Sequence, residues 1–147
     1  MTTLRTTRFA RANFVLEKPF TSINLEAQER HLRRKLLVLE DGTELLVDFE
    51  KTAKLEDGDC FVLDDGRLVQ IAAQEEDLLE VRGANQTHLA KLAWHIGNRH
   101  LEAQIERHRI LIRLDHVIAK MLEGQGAMVK PVREKFSPEN GAYAHAH

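Results

Sequence analysis

From Phe20 onwards apolar and polar positions alternate. Ile23 and Leu25 are separated by Asn24 and followed by Glu26, the period-two pattern of a strand with one buried face. Leu36 to Leu39 is an unbroken apolar run, expected of a buried strand. Asp41-Gly42 separates it from Leu45-Leu46-Val47. An Asp-Gly pair between two such runs predicts a tight hairpin, because glycine accepts the positive φ that the turn requires. Asp57-Gly58 before Cys60 to Leu63, and Asp65-Gly66 before Leu68-Val69-Gln70-Ile71, repeat the device. Residues 1–14 are polar and basic without a clear period. The first half is therefore expected to be a small antiparallel β-domain over residues 1–73.

The polar run Gln74-Glu75-Glu76-Asp77 marks a boundary, and beyond it the period changes. Leu78, Leu79 and Val81 predict a strand ending at Gly83. Leu89, Leu92, Ala93 and Ile96 then recur at helical spacing, with Asn85 as N-cap and Gly97 or Asn98 as the left-handed residue that ends the helix. Leu101, Ala103 and Ile105 alternate with Glu102, Gln104 and Glu106, and Ile110, Ile112 and Leu114 alternate again after a turn at Arg107-His108-Arg109. Asp115 is placed to cap a second helix whose Val117, Ile118, Met121 and Leu122 share a face, with Gly124 and Gly126 stopping it. Met128 to Val132 gives a last strand, and Pro131 marks it as an edge. The order β-α-β-β-α-β over residues 77–136 is the ferredoxin-like arrangement, so the expected class is α+β. After Phe136, Ser137-Pro138-Glu139-Asn140-Gly141 is turn-forming, and residues 137–147 are expected to be a flexible, histidine-bearing tail.

Composition narrows the function. Of 147 residues, 43% are hydrophobic but only 5% aromatic, so the cores must be aliphatic. The 21 basic and 23 acidic residues give a net charge of -2, without the basic surplus of a nucleic-acid binder. No apolar run approaches a membrane span, and the N-terminus lacks a signal peptide's apolar segment. Arg5, Arg8 and Arg11 among threonines only faintly match a transit peptide, so the cytoplasm is the expected compartment. A single cysteine, Cys60, excludes an internal disulfide and any multi-cysteine zinc site; set among Phe61, Val62 and Leu63, it reads as a buried thiol. Arg30, Arg33, Arg34 and Lys35 surround His31, either as a contact for an anionic partner or as a solvated strand edge whose charges discourage pairing; we take the second. No nucleophile–base–orienter set is visible, so a binding protein is expected rather than an enzyme.

Eight histidines are many for this length, and seven of them fall after residue 87. His100 follows the helix-ending turn, so the backbone fixes its direction. One imidazole holds a divalent ion weakly, because firm sites use three or more ligands, and no partner lies at a familiar local zinc spacing. A two-fold dimer would place His100 beside its own copy. His145 and His147, at i and i+2, point the same way in an extended segment and could complete the set. His88 and His95 read as satisfied helix-face residues, and His108 as an exposed turn residue. His116, next to the cap Asp115, is a weaker ligand candidate. Imidazole suits nickel, copper and zinc. Only its neutral form binds, so affinity should fall as pH drops through about 6.5.

The segment Ala93-Trp94-His95-Ile96-Gly97-Asn98-Arg99-His100 is similar to the helix-to-strand signature of the urease accessory protein E family, the nickel metallochaperones of urease maturation. Leu114-Asp115-His116-Val117, Phe136-Ser137-Pro138-Glu139-Asn140-Gly141-Ala142-Tyr143 and the histidine-bearing end extend the resemblance over essentially the whole chain. It implies a homodimer through ferredoxin-like domains, with Ni(II) bound at the interface by His100 and its copy; the imidazole chemistry by itself does not separate nickel from Zn(II), which could stand in its place. It implies that His145 and His147 join the site. It also implies an N-terminal β-domain that meets partners, with nickel handed to the urease apoprotein and its accessory GTPase complex. Two departures matter. Some members carry a long histidine-rich tail, where this chain has only His145 and His147. Some have a histidine two positions before the one matching His116, where this chain has Leu114. The rival reading is a ferredoxin-like module that binds RNA or assists ribosome assembly; the net charge and the shortage of aromatics to stack on bases oppose it.

Overall fold

Two of the three Asp-Gly pairs close hairpins, and the third does not. The structure is a computed structural model and describes residues 3–139. The chain divides into two compact units, Met1–Gln74 and Glu75–His147.

The first unit holds β1 (Leu4–Ala10), β2 (Thr21–Leu25), β3 (His31–Val38), β4 (Glu44–Lys54), β5 (Cys60–Leu63) and β6 (Leu68–Ala73). They form one sheet in the order β2-β6-β5-β1-β4-β3. Gly42 and Gly66, at φ 88° and 90°, turn the β3–β4 and β5–β6 hairpins. Gly58 also has a positive φ, but it only connects β4 to β5, because β1 lies between them. The sheet is mixed rather than antiparallel: β1 runs parallel to β4, and β2 parallel to β6.

The strand β1 was hidden in a stretch without apolar period. Its central inward residue is Thr6, fully buried, with its hydroxyl 2.8 and 2.7 Å from the carbonyl oxygens of Arg8 and Val62. Satisfying the hydroxyl lets a polar residue occupy a core position. Conversely, the run Leu36–Leu39 is not buried throughout. The strand β3 lies at the sheet edge, so Leu37 and Leu39 face the core of Leu45, Val47, Phe49 and Phe61 while Leu36 and Val38 face outward. His31, Arg33, Arg34 and Lys35 are exposed along that edge, but Arg30 is buried. Its guanidinium donates to the carbonyls of Leu25 and Leu55, at 3.2 Å each, tying the end of β2 to the residue after β4.

The second unit follows the expected order: β7 (Glu75–Arg82), α1 (Gln86–Asn98), β8 (Gln104–Ile105), β9 (Ile110–Arg113), α2 (His116–Gly124) and β10 (Met128–Lys135). The sheet order is β10-β7-β9-β8, with every neighbouring pair antiparallel. The division between the units falls inside the polar run, after Gln74, and Glu75, Glu76 and Asp77 already belong to β7. They pair with Lys135, Glu134 and Arg133 as the start of β7. Leu79 and Val81 of β7 and Ile110 and Ile112 of β9 share one face of the sheet. They form a single core with Leu89, Leu92 and Ile96 of α1 and Ile118 and Leu122 of α2. Asn85 caps α1 by accepting the His88 N–H at 2.8 Å, and Asp115 caps α2 by accepting from Val117 and Ile118. Val117 departs from the expected stripe: it points outward and is 74% exposed. On the opposite sheet face Arg109 gathers Glu80, Glu134 and Glu106 at 2.9, 2.8 and 3.0 Å.

Candidate metal centre

The two helices of the second unit end in the same hydrogen-bonded turn, and the comparison isolates His100. At the end of α2 the N–H of Gly126 reaches the Glu123 carbonyl at 2.9 Å and that of Ala127 reaches Leu122 at 3.1 Å, with Gly126 at φ 87°. At the end of α1 the N–H of His100 reaches Gly97 at 2.9 Å and that of Leu101 reaches Ile96 at 3.4 Å, with His100 at φ 61°. Both are Schellman turns, in which the residue after the C-cap is left-handed and is usually glycine. The left-handed residue of α1 is therefore His100, not Gly97 or Asn98, both of which lie inside the helix. The turn falls later because the apolar pair that clamps it is Ile96 with Leu101, both part of the core of this unit. Among the described residues, His100 is the one non-glycine with positive φ.

His100 is an exposed residue, at the end of α1 and three residues before Ala103. The next residues, Leu101 and Glu102, line a hollow of about 120 Å³ with Leu114, Asp115 and Ile118. The loop carrying His100 and the loop leading into His116 are thus neighbours. His116 is exposed at the first turn of α2. Large apolar side chains stand open around this end of the unit: Trp94 is 66% exposed, and Leu114 and Val117 also face outward.

The other histidines have different surroundings. His88 is held at both ring nitrogens: the Ala84 N–H donates to Nδ1 at 2.8 Å, which leaves the hydrogen on Nε2 to be donated to the Gln125 carbonyl at 2.8 Å. The His95 ring stands edge-on to Trp94. His108 is exposed in its turn, near the Gln86 amide. His31 is exposed at the start of β3. His145 and His147 lie outside the described residues. Among the described residues no group of three or more His, Cys, Asp or Glu side chains could hold a metal ion. Cys60 is fully buried, and that burial, together with the Asp59 carboxylate, pushes its thiol above the ordinary range, which does not suit a thiolate ligand. His100 could therefore contribute one imidazole to a metal, and the described residues of one chain do not by themselves supply a set of three ligands around it.

One feature near His100 was not legible in the sequence. Glu139 pairs with Ala103: its N–H donates to the Ala103 carbonyl at 2.7 Å, and the Ala103 N–H returns at 3.4 Å. The Ser137 N–H donates to Oε1 of Gln104 at 2.8 Å. Residues 137–139, expected to begin a free tail, are tied to the loop that follows His100.

Both halves of the chain match descriptions of one class, the accessory proteins of urease. Residues 6–74 match the family model described as UreE urease accessory protein, N-terminal domain, and residues 76–147 match that of the C-terminal domain. The chain belongs to the UreE family. It is 54% identical over 144 residues to the urease accessory protein UreE of Brucella anthropi, an alignment covering 97% of this chain and 85% of that one. Against the UreE protein of Brucella abortus the identity is 54% over 138 residues, covering 93% and 81%. Against that of Rhizobium leguminosarum it is 47% over 147 residues, covering 97% and 76%. The family is thus that of an accessory protein rather than of urease itself, and no described helix is long and apolar enough to cross a membrane.

Proposed function

We propose that the protein is a cytoplasmic nickel metallochaperone that carries Ni(II) as cargo to the urease apoprotein and its accessory GTPase complex. The observation that carries this reading is His100, an exposed imidazole in the one position of the α1 turn where local backbone chemistry favours glycine. A residue that keeps an unfavourable backbone at the surface is a candidate for function. Family membership supports the role in urease maturation.

In this reading the second unit is a ferredoxin-like dimerisation domain. The sheet order β10-β7-β9-β8 and the two helices on one face support that assignment. The exposed Trp94, Leu114 and Val117 near the His100 end suit a contact between copies. Two copies of His100 then meet near the two-fold axis, and His145 and His147 complete the ligand set, with His116 as a weaker contributor. Neutral imidazoles are exchangeable ligands for nickel and also accept Zn(II). Such a site takes up an ion and yields it to a partner by ligand exchange. Titration calorimetry with nickel(II) tests the assignment: about one tight ion per dimer is expected for the wild type and none for His100→Ala. Equal binding by both proteins would refute it.

A further inference from the structure

A strand at the end of a sheet offers unpaired backbone groups to other chains, and most edges are built to refuse them. Three of the four sheet edges here follow that rule. The strand β8 has only two residues, β10 is interrupted by Pro131, and β2 shows Ser22 and Asn24 to solvent. The fourth, β3, has eight residues and no proline. The turn after it fixes which of its groups face the open side. The Leu39 N–H donates to the Thr43 carbonyl at 2.8 Å. The register continues as Val38↔Glu44, Leu37↔Leu45, Leu36↔Leu46, Lys35↔Val47 and Arg34↔Asp48. Bonded and unbonded pairs alternate along an antiparallel ladder. Leu37 and Lys35 therefore bond to β4, and the N–H and C=O of Val38, Leu36 and Arg34 point away from it, to the open edge. The side chains of the same three residues are exposed, Val38 by 62% and Leu36 by 49%.

Cations outnumber anions beside these groups. Arg33 and Lys35 are exposed and make no ion pair among the described residues. Arg34 reaches Asp48 at 3.4 Å, but Asp48 is shared with Arg5 at 3.0 Å. Charges that guard an edge account for Arg33 and Lys35 but not for Leu36 and Val38, since an edge built only to refuse pairing keeps apolar side chains off its open face. Charges of one sign also select. They repel a basic strand and attract an acidic one. We propose that residues 34–38 of β3 are a docking edge that takes up, by strand pairing, an extended segment of another protein, acidic beside Arg33, Arg34 and Lys35 and apolar beside Leu36 and Val38. The outward backbone groups supply affinity, and the flanking side chains choose the segment. The register shift between Leu32 and Arg34 ends the regular ladder and sets one limit of the edge. A second copy of β3 does not fit the description, because that strand has no acidic residue to offer. The surface is separate from the metal-site reading and does not depend on it.

The test titrates the full chain, in chelator, into two fluorescein-labelled peptides, Val-Thr-Val-Thr-Glu-Glu-Glu and its reverse order, because an added strand can run either way. Anisotropy reads binding, and amide exchange reads where it occurs. One of the two orders is expected to bind, its analogue with lysine in place of glutamate is not, and binding should weaken as salt screens the charges. Bound peptide should slow exchange at Leu36 and Val38, whose N–H groups face the open edge, and leave Leu37 unchanged. Arg33→Glu with Lys35→Glu turns two attractive pairs into two repulsive ones, for a loss of about tenfold. Leu36→Pro removes one outward donor without touching a bond to β4, and should weaken binding while leaving the salt dependence in place. Circular dichroism checks that both variants keep the fold. Failure of both peptide orders to bind would overturn the proposal. So would binding without slowed exchange at Leu36 and Val38, which would be attraction between charges without strand pairing, or full affinity in the charge-reversed variant.

Discussion

Replacing His100 by glycine should stabilise the protein, whereas replacing it by alanine should not. The two Schellman turns supply the reasoning. Each makes the same pair of backbone bonds, but one places glycine at φ 87° and the other histidine at φ 61°. A left-handed backbone costs an L-residue roughly 1–2 kcal/mol. Glycine escapes that cost but gives up about 0.5–1 kcal/mol in unfolded-chain entropy. The net gain for His100→Gly is about 0.75 kcal/mol at the midpoint of those ranges. With an unfolding entropy of about 2.1 cal/mol/K per residue, that is a rise in Tm of roughly 2 °C if the whole chain unfolds together and about 5 °C if the second unit unfolds alone. Alanine loses the same imidazole and keeps the strain, so His100→Ala should melt at or below the wild type. The difference between the two variants isolates the backbone term, since every interaction of the ring is lost in both. Thermal melts followed by circular dichroism in excess chelator read it directly. In nickel(II) the order should reverse: a ligand at about 100 times its Kd adds about 2.7 kcal/mol to the protein that binds it, and neither variant should gain it. Equal Tm for the glycine and alanine variants in chelator would show that His100 is not strained, and the argument from backbone to function would lose its foundation.

Two further outcomes follow from the second unit. His88→Ala removes the bonds to Ala84 and Gln125 that join the start of α1 to the end of α2. Two net hydrogen bonds make this about 2 kcal/mol; urea unfolding within about 0.5 kcal/mol of wild type would contradict the staple. On the other sheet face, hydrogen bonds from Arg82 and then Arg109 hold the Glu80 carboxyl below the ordinary range, and Arg109 does the same for Glu134. Groups with depressed folded values contribute stability that is complete above the unfolded value of about 4.5 and is lost as pH falls through the folded ones. Arg109→Gln should cost about 2 kcal/mol at pH 7 by leaving buried Glu80 short of a partner, and should flatten the loss below pH ~4.5. A variant that keeps the wild-type acid slope in urea titrations at pH 7 and 3.5 would show that the cluster is not the source.

What could be read from the sequence divides along the distance over which each signal acts. Asn85 and Asp115 as caps, Gly42 and Gly66 as hairpin turns, and the Leu89–Leu92–Ile96 stripe are local, and the structure has them where spacing put them. Gly124 and Gly126 were read together as stopping α2; Gly124 is the helix's last residue, and Gly126 is the left-handed one beyond it. The strand β1 was not, because a satisfied threonine took a core position and its partners β4 and β5 lie some forty to sixty residues away. The pairing of Glu139 with Ala103 is likewise a non-local bond pair with no periodicity of its own. His100 differs from both. The local rule was available and it pointed to Gly97 or Asn98, but the apolar clamp of Ile96 with Leu101 carries the turn to His100. A sequence made only to end that helix would carry glycine there, as it does at Gly126. Consistency between local preference and fold breaks at functional positions more readily than elsewhere. The break falls on the imidazole proposed to hold nickel, and on a backbone whose relief by glycine is measurable without any metal present.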